Sequence, residues 1–87
     1  MIEQQPSLST QFVLFNLFGD YILPRGGVIW TNNLLRLLDL LGIGERAARS
    51  TLLRMKQDGW LASRKFGRRT QTAVTRRGRA VLDQGNQ

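Results

Sequence analysis

The side chains of this sequence that are best suited to chemistry are arginines, and they are concentrated in its second half. Residues 45–87 carry eleven of the thirteen basic side chains and three of the six acidic ones, so their net charge is +8, whereas residues 1–44 have a net charge of −1. A basic half on a globular chain indicates a polyanionic partner. Nine of those eleven side chains are arginine, which donates to phosphates and guanine edges. A solvated face that only aids solubility is the alternative.

Two residue types that enzymes often use for catalysis, histidine and cysteine, are missing. The sequence has no histidine, the commonest general base and metal ligand, and no cysteine for a disulfide or a thiolate site. Its six carboxylates and two lysines show no local spacing that indicates joint catalysis. We therefore predict a protein that is not an enzyme and has no cofactor and no metal site.

Length and hydropathy predict one small domain. The chain has 87 residues, of which 41% are hydrophobic, enough for a modest core. No apolar run approaches the roughly 18 residues that span a bilayer, and there is no basic segment followed by an apolar one at the N-terminus, so we expect no membrane contact and no secretion. We expect a flexible N-terminus over residues 1–8, a domain over 9–84 and a polar tail over 85–87.

The first predicted helix begins behind a cap at Ser7 or Ser9 and runs to about Ile22, where a Pro-Arg-Gly-Gly loop ends it. It holds more apolar residues than one buried stripe needs. Core packing explains most of them. Phe12 and Phe15 are the candidates for an interface with a second subunit or another domain.

The next segment predicts a short strand and two helices. The strand covers residues 28–30, and the helix over 32–41 is capped by Thr31 and ended by Gly42. A further helix covers residues 45–58. Two short helices joined by a glycine-containing turn are typical of a helix-turn-helix. The predicted buried face of the helix over 32–41 is Leu34, Leu35, Leu37, Leu38 and Leu41.

The last segment predicts a hairpin and a closing helix. Strands over residues 60–65 and 69–74 flank a turn over 66–68, and Thr75 caps a helix over 76–83. The order helix, strand, helix, helix, hairpin, helix is that of a winged helix. We therefore predict a winged helix-turn-helix, mainly α with a small β-hairpin (α+β).

The helix over residues 45–58 is the predicted recognition helix. At about 100° per residue, its inward face is Ala48, Thr51, Leu52 and Met55. Recognition helices in this arrangement usually enter the major groove by their N-terminal part. We therefore predict base readout by Arg46, Arg49 and Ser50, and contacts of Arg54 and Gln57 with the DNA backbone.

Two points on this helix stay open. Leu53 also faces outward, where it meets a thymine methyl or is a partial core residue. The alternative to DNA recognition is an exposed helix in which Glu45 and Arg49 pair at i,i+4.

Further basic residues lie at the hairpin and after it. The hairpin turn is surrounded by Arg64, Lys65, Arg68 and Arg69. Like charges this close repel one another unless solvent or phosphates receive them, so we predict that the wing contacts the DNA backbone. Arg76 and Arg77 oppose the macrodipole of the last helix and are candidates for phosphate contacts.

Trp30 and Trp60 each lie in a short strand segment and are expected in the core. Base stacking, as in single-strand binders, would need them exposed and is the alternative.

The chain also resembles a known family over roughly residues 12–82. The residues that carry the resemblance are Leu17-Phe18-Gly19-Asp20-Tyr21, Pro24-Arg25-Gly26-Gly27, Trp30, Gly42-Ile43, Glu45-Arg46-Ala47, Arg49 and Asp58-Gly59-Trp60-Leu61. They resemble the N-terminal winged-helix domain of PaaX-type repressors, regulators of phenylacetic acid degradation operons. Thr75-Arg76-Arg77-Gly78 is similar to the family's lead into the last helix. One departure is Gly44, where a capping serine is expected.

The resemblance implies a sequence-specific, double-stranded DNA-binding domain of a transcriptional repressor of an aromatic-acid catabolic operon, in a protein of the bacterial cytoplasm associated with the nucleoid. It also implies a homodimer on a palindromic operator and an aryl-coenzyme A effector, typically phenylacetyl-coenzyme A, that binds regions outside this sequence. Asp20 and Arg25 are expected to form a salt bridge that braces the first loop, with a contact to another domain as the alternative. From the residues alone, a protein-interaction winged helix and an RNA or single-strand nucleic-acid binder stay open.

Overall fold

The computed structural model describes residues 6–85 of the chain, and side-chain burial for residues 10–84. The elements in chain order are α1 (Pro6–Leu17), a π-helical turn (Phe18–Ile22), a 3₁₀ turn (Leu23–Arg25), β1 (Val28–Trp30), α2 (Thr31–Leu40), α3 (Glu45–Gln57), β2 (Leu61–Phe66), β3 (Arg69–Val74) and α4 (Arg76–Gly85). This order confirms the predicted α+β winged helix-turn-helix. No helix within the described residues is long and apolar enough to cross a membrane.

The start of α1 differs from the prediction. The chain is already helical at Pro6, so Ser7 and Ser9 lie inside the helix and neither of them is its N-cap. Proline is tolerated in the first turn, because the first amide groups of a helix have no intrahelical partner. Residues 1–5 of the expected flexible N-terminus, and 86–87 of the expected tail, lie outside the described residues.

The first helix ends in two irregular turns. Its last part, Phe18–Ile22, is π-helical, and the amide of Leu23 donates to the carbonyl of Phe18. The sequence predicted that a loop beginning at Pro24 follows the helix directly. Pro24 instead lies within a 3₁₀ turn, Leu23–Arg25, that continues the helical path. The chain leaves the turn at Gly26, whose φ is +104°.

The start of α2 is also one residue earlier than predicted. Trp30 occupies the N-cap position and Thr31 is the first helical residue. The hydroxyl of Thr31 does not cap the helix, since it shares a hydrogen bond of 2.8 Å with the hydroxyl of Thr72 on β3. This bond fastens the helix to the sheet.

A glycine-dependent turn joins α2 to α3, as predicted. Gly42 has a φ of +90°, and its amide donates to the carbonyl of Asp39 at 3.0 Å. The amide of Ile43 donates to the carbonyl of Leu38 at 2.8 Å. These two bonds form a Schellman motif, which needs a left-handed residue at the position of Gly42. Leu41 lies at the C-cap and is 57% exposed, so its predicted place on the buried face is wrong.

The core lies between the helices and one face of the sheet. Its buried residues are Leu14, Phe18, Ile22, Leu34, Leu38, Ala48, Leu52, Met55, Leu61 and Leu82. The predicted inward face of α3 is confirmed, because Ala48, Thr51, Leu52 and Met55 are all buried. Burial of this face orients the rest of α3 toward solvent.

The three strands form an antiparallel sheet in the order β1-β3-β2. Phe66 pairs with Arg69, so the hairpin turn contains only Gly67 and Arg68, and the predicted turn position of Phe66 is wrong. Trp60 precedes β2 instead of opening it. Side chains alternate between the two faces of the sheet, so Ser63, Lys65, Thr70 and Thr72 share one face and Arg64, Phe66, Arg69 and Gln71 share the other.

The base of the hairpin is packed against α4. The hydroxyl of Thr75 accepts a bond of 2.9 Å from the amide of Gly78, which confirms Thr75 as the cap of this helix. A Cβ at position 78 would overlap the carbonyl oxygen of Trp60 and lie 2.9 Å from its carbonyl carbon. Glycine costs about 1 kcal/mol relative to alanine inside a helix. The close approach of the Trp60 backbone explains why it is present here.

The N-cap of α3 offers a direct test of local stability. Gly44 has an extended conformation, with φ −66° and ψ 162°, and no described atom lies within 4 Å of the place of a Cβ. We expect Gly44→Ser to raise the free energy of unfolding by a few tenths of a kcal/mol, because the serine oxygen accepts from a free amide of the first turn. Urea unfolding measures the change. Gly44→Ala, which has no acceptor, should lower stability, and a rise of the same size in both variants would contradict the capping explanation.

Candidate nucleic-acid interface

The outward face of α3 carries the predicted recognition residues. Arg46, Arg49, Ser50, Arg54 and Gln57 are all exposed, on the side of the helix opposite its buried face. Leu53 is 52% exposed and lines the clefts on both sides of the helix, so it lies at the centre of this face and not in the core. The structure thus presents one apolar side chain flanked by polar and basic ones.

A cleft of about 350 Å³ separates α3 from the hairpin. Three cationic side chains, Arg49, Lys56 and Arg68, line it from the two sides. Neutral polar groups complete the wall, including Thr31 and Asn32 from the start of α2. Since every described residue of the lining is neutral or basic, the cleft is suited to an anionic group.

A second cleft, of about 290 Å³, lies on the other side of α3, next to α1. Ser50, Arg54 and Gln57 line it together with Gln11 of α1. The adjacent residues Arg49 and Ser50 therefore face different clefts. The structure brings Arg49 together with the wing, and Ser50 together with the two side chains predicted to contact the backbone.

Arg49 forms an ion pair with the first residue of its own helix. Its Nε donates to Oε2 of Glu45 at 2.6 Å. The i,i+4 pair considered from the sequence is therefore present. The two side chains are 58% and 66% exposed, and an exposed pair of this kind contributes only a few tenths of a kcal/mol. Within residues 6–85, the terminal Nη groups of Arg49 have no hydrogen-bond partner.

All four predicted wing cations are exposed, and one of them, Arg69, also stacks on an aromatic ring. Arg64, Lys65 and Arg68 are exposed near the hairpin turn. The guanidinium of Arg69 lies 3.8 Å from the centre of the Trp30 ring, a cation–π contact. The ring of Phe66 meets the same indole edge-on, with 6.0 Å between centroids. Trp30 thus packs against the two strand residues, Phe66 and Arg69, that flank the hairpin turn.

The two tryptophans have different environments. Trp60 packs against the core and lies 5.4 Å from the ring of Phe15, as predicted for a core residue. Trp30 is half-buried on the outer face of the sheet, so its predicted place in the core is wrong. Sequence reasoning missed this because the contact with Arg69 depends on the pairing of β1 with β3. Base stacking on this face of Trp30 would have to displace Arg69.

The remaining predicted residues lie away from α3. Arg76 and Arg77 are exposed in the first turn of α4. Phe12 is 69% exposed on α1, whereas Phe15 is half-buried against Trp60. A role of Phe12 in an interface stays a prediction, and Phe15 offers a partner much less surface.

The predicted salt bridge between Asp20 and Arg25 is absent from the described residues. Arg25 instead donates to the carbonyl of Tyr21 at 3.0 Å, and its guanidinium lies 4.0 Å from the centre of the Tyr21 ring. The ring and the backbone carbonyl of Tyr21 are therefore the partners of Arg25 in place of Asp20. Asp20 is exposed.

The cleft between α3 and the hairpin, called the wing-side cleft below, has three lining residues that were not predicted from the sequence: Lys56, Thr31 and Asn32. Lys56 lies seven residues after Arg49, two helical turns along the same side, so helical periodicity was a sufficient signal for it. Its Nζ donates to Oγ of Ser63 at 3.1 Å, which links α3 to β2. Thr31 and Asn32 reach the cleft only because α2 is fastened to the sheet, and no local pattern shows that.

The fold is that of a winged helix-turn-helix domain, and a cationic cleft lies between its third helix and its hairpin. The family model described as "PaaX-like protein" matches residues 9–78 of the chain. A relative from Escherichia coli (strain K12), "Transcriptional repressor PaaX", is 39% identical over 66 residues, which are 76% of this chain and 21% of the relative.

The chain therefore belongs to the PaaX-like family, and it is a homologue of a transcriptional repressor. It spans about a fifth of the length of that relative.

Proposed function

We propose that this chain is a sequence-specific, double-stranded DNA-binding domain of a transcriptional repressor. The observation that carries the proposal is the cationic cleft between α3 and the hairpin, where Arg49, Lys56 and Arg68 converge without an acidic residue in the described lining. The phosphates of a DNA strand carry the opposite, negative charge and are therefore suited to this cleft. Membership in the PaaX-like family supports the same function.

The recognition helix reads bases from the major groove. This groove is about 12 Å wide and admits one α-helix. The N-terminal part of α3 enters first, so that Arg46, Arg49 and Ser50 meet base edges. Leu53, at the centre of the outward face, is suited to a thymine methyl.

The wing and the flanks of α3 hold the backbone. Arg68 and Lys56 neutralise phosphates of the strand that runs through the wing-side cleft. Arg54 and Gln57 contact the backbone on the other side of α3. Phosphate contacts fix the register of the domain on the duplex and leave sequence discrimination to α3.

The full regulator would bind a palindromic operator as a homodimer. Regions outside these 87 residues would supply dimerisation and the site of an aryl-coenzyme A effector that releases the DNA of an aromatic-acid catabolic operon in the cytoplasm. The Escherichia coli relative is compatible with additional domains, because the matched region is only 21% of its length.

A salt titration tests the electrostatic part of the proposal. If α3 and the wing together neutralise about four phosphates, log K against log salt concentration should have a slope of roughly −3.6 per domain. Fluorescence anisotropy of a labelled duplex between low and moderate salt measures it.

Arg36→Ala is the matched control for this titration, because Arg36 is an exposed cation of α2 beside Tyr21 and Leu37, outside both clefts of α3. It should leave the slope unchanged. A wild-type slope near zero, or a slope that Arg36→Ala reduces as much as Arg68→Ala does, would argue against the proposed face.

A further inference from the structure

Glu45 is an unexpected residue on this surface. It is a carboxylate at the N-terminal end of the recognition helix, where DNA phosphates would approach, and it is 66% exposed. A negative charge in the first turn favours the helix macrodipole. It also repels a polyanion, so a role in DNA binding has to come from what it contacts.

The contact of Glu45 selects one edge of the Arg49 guanidinium. A guanidinium has five N–H donors arranged in a plane. Glu45 accepts from Nε at 2.6 Å, and the edge formed by the two Nη groups is left without a protein partner among residues 6–85. That edge can donate two parallel hydrogen bonds to O6 and N7 of guanine, which is the commonest specific contact in the major groove.

We propose that Glu45 is a positioning residue that aims Arg49 at a guanine and thereby determines specificity at one base pair. The inference rests on the proposed function and deepens it. Arg49 lines the wing-side cleft, where an unrestrained arginine can turn to a phosphate and bind any sequence. The carboxylate holds Arg49 away from that position and also weakens binding to DNA that lacks the guanine.

Three variants distinguish a role of Glu45 in positioning Arg49 from an effect of its negative charge. Glu45→Gln removes the charge and keeps the shape, whereas Glu45→Asp keeps the charge and shortens the reach. Glu45→Gln in an Arg49→Ala background tests whether Glu45 acts through Arg49. The probes are a duplex selected from a random pool, the same duplex with each G·C pair replaced in turn, and a scrambled duplex, all at one salt concentration. Thermal unfolding of each variant controls for its fold.

Glu45→Gln is expected to bind the scrambled duplex more tightly and to lose roughly twofold of the discrimination at one G·C pair, which is the size of effect that an exposed i,i+4 pair supports. Glu45→Asp should lose the same discrimination with a smaller gain on scrambled DNA, because Arg49 is released but the negative charge stays. In the Arg49→Ala background, Glu45→Gln should change no base preference.

Equal fold-changes on every duplex would overturn the inference, because Glu45 would then act only as a charge. A change of base preference that persists without Arg49 would also overturn it, because Glu45 would then read a base itself. A wild-type protein that does not distinguish the selected duplex from the scrambled one contradicts the proposed function, and the inference with it.

Discussion

Arg49→Ala is expected to weaken binding to the selected operator duplex by about 1–3 kcal/mol, roughly 5- to 150-fold, and to relax the preference at one base pair. Arg49 is exposed, and its Nη edge has no partner among the described residues, so its removal should delete the proposed contact with DNA and leave the fold intact. Anisotropy titrations on the operator and on its single base-pair variants measure both effects.

Arg68→Ala is the matched comparison, because Arg68 lines the same cleft from the wing. A phosphate contact carries no sequence information, so this variant should weaken all duplexes alike and reduce the salt slope by about 0.9. The assignment of roles would be refuted if Arg49→Ala also weakened all sequences equally, or if neither variant changed the affinity.

Gly78→Ala is expected to lower the free energy of unfolding by about 2 kcal/mol or more. The added Cβ would overlap the carbonyl of Trp60, and a backbone carbonyl has no rotamer by which to move away. Overpacking of this kind typically costs about 1–3 kcal/mol, and an overlap with a backbone carbonyl belongs at or above the upper end of that range, so a loss of about 2 kcal/mol remains after the gain of about 1 kcal/mol in helix propensity. Urea unfolding followed by circular dichroism measures the difference.

Gln84→Ala is the control for this substitution, because it places alanine at an exposed position of the same helix. It should stay within about 0.5 kcal/mol of wild type. The carbonyl of Trp60 also accepts from the amide of Thr75 at 3.0 Å, so a shifted Trp60 disturbs the cap of α4 as well. A Gly78→Ala protein as stable as wild type would show that α4 does not pack this closely on the base of the hairpin.

The order of the elements could be predicted from the sequence because its signals are local. The glycine turn after α2, the Thr75 cap of α4 and the 3.6-residue period of α3 each lie within a few residues of the structure that they determine. The exposed face of α3 follows from the same period, because Ala48, Leu52 and Met55 are buried on its other side. The candidate recognition residues were therefore within reach of sequence reasoning.

Features that depend on tertiary contacts could not be predicted in this way. Thr31 has the residue type of a cap, yet its hydroxyl bonds to Thr72, 41 residues away. Arg69 has the residue type of a phosphate contact, yet it stacks on Trp30, which only the pairing of β1 with β3 brings near. In both cases the partner lies far away in the sequence, so no local pattern shows the contact.

We propose that α3 and the wing bind duplex DNA in a sequence-specific manner. The most direct test is to select bound duplexes from a random pool and then to titrate the enriched sequence with salt. From the proposed function we expect an enriched motif, which is an inverted repeat if two copies bind together, and a slope of roughly −3.6 per domain. A pool without an enriched motif, or binding that salt does not weaken, would contradict the claim. The exposed Phe12 would then direct the search to a protein partner.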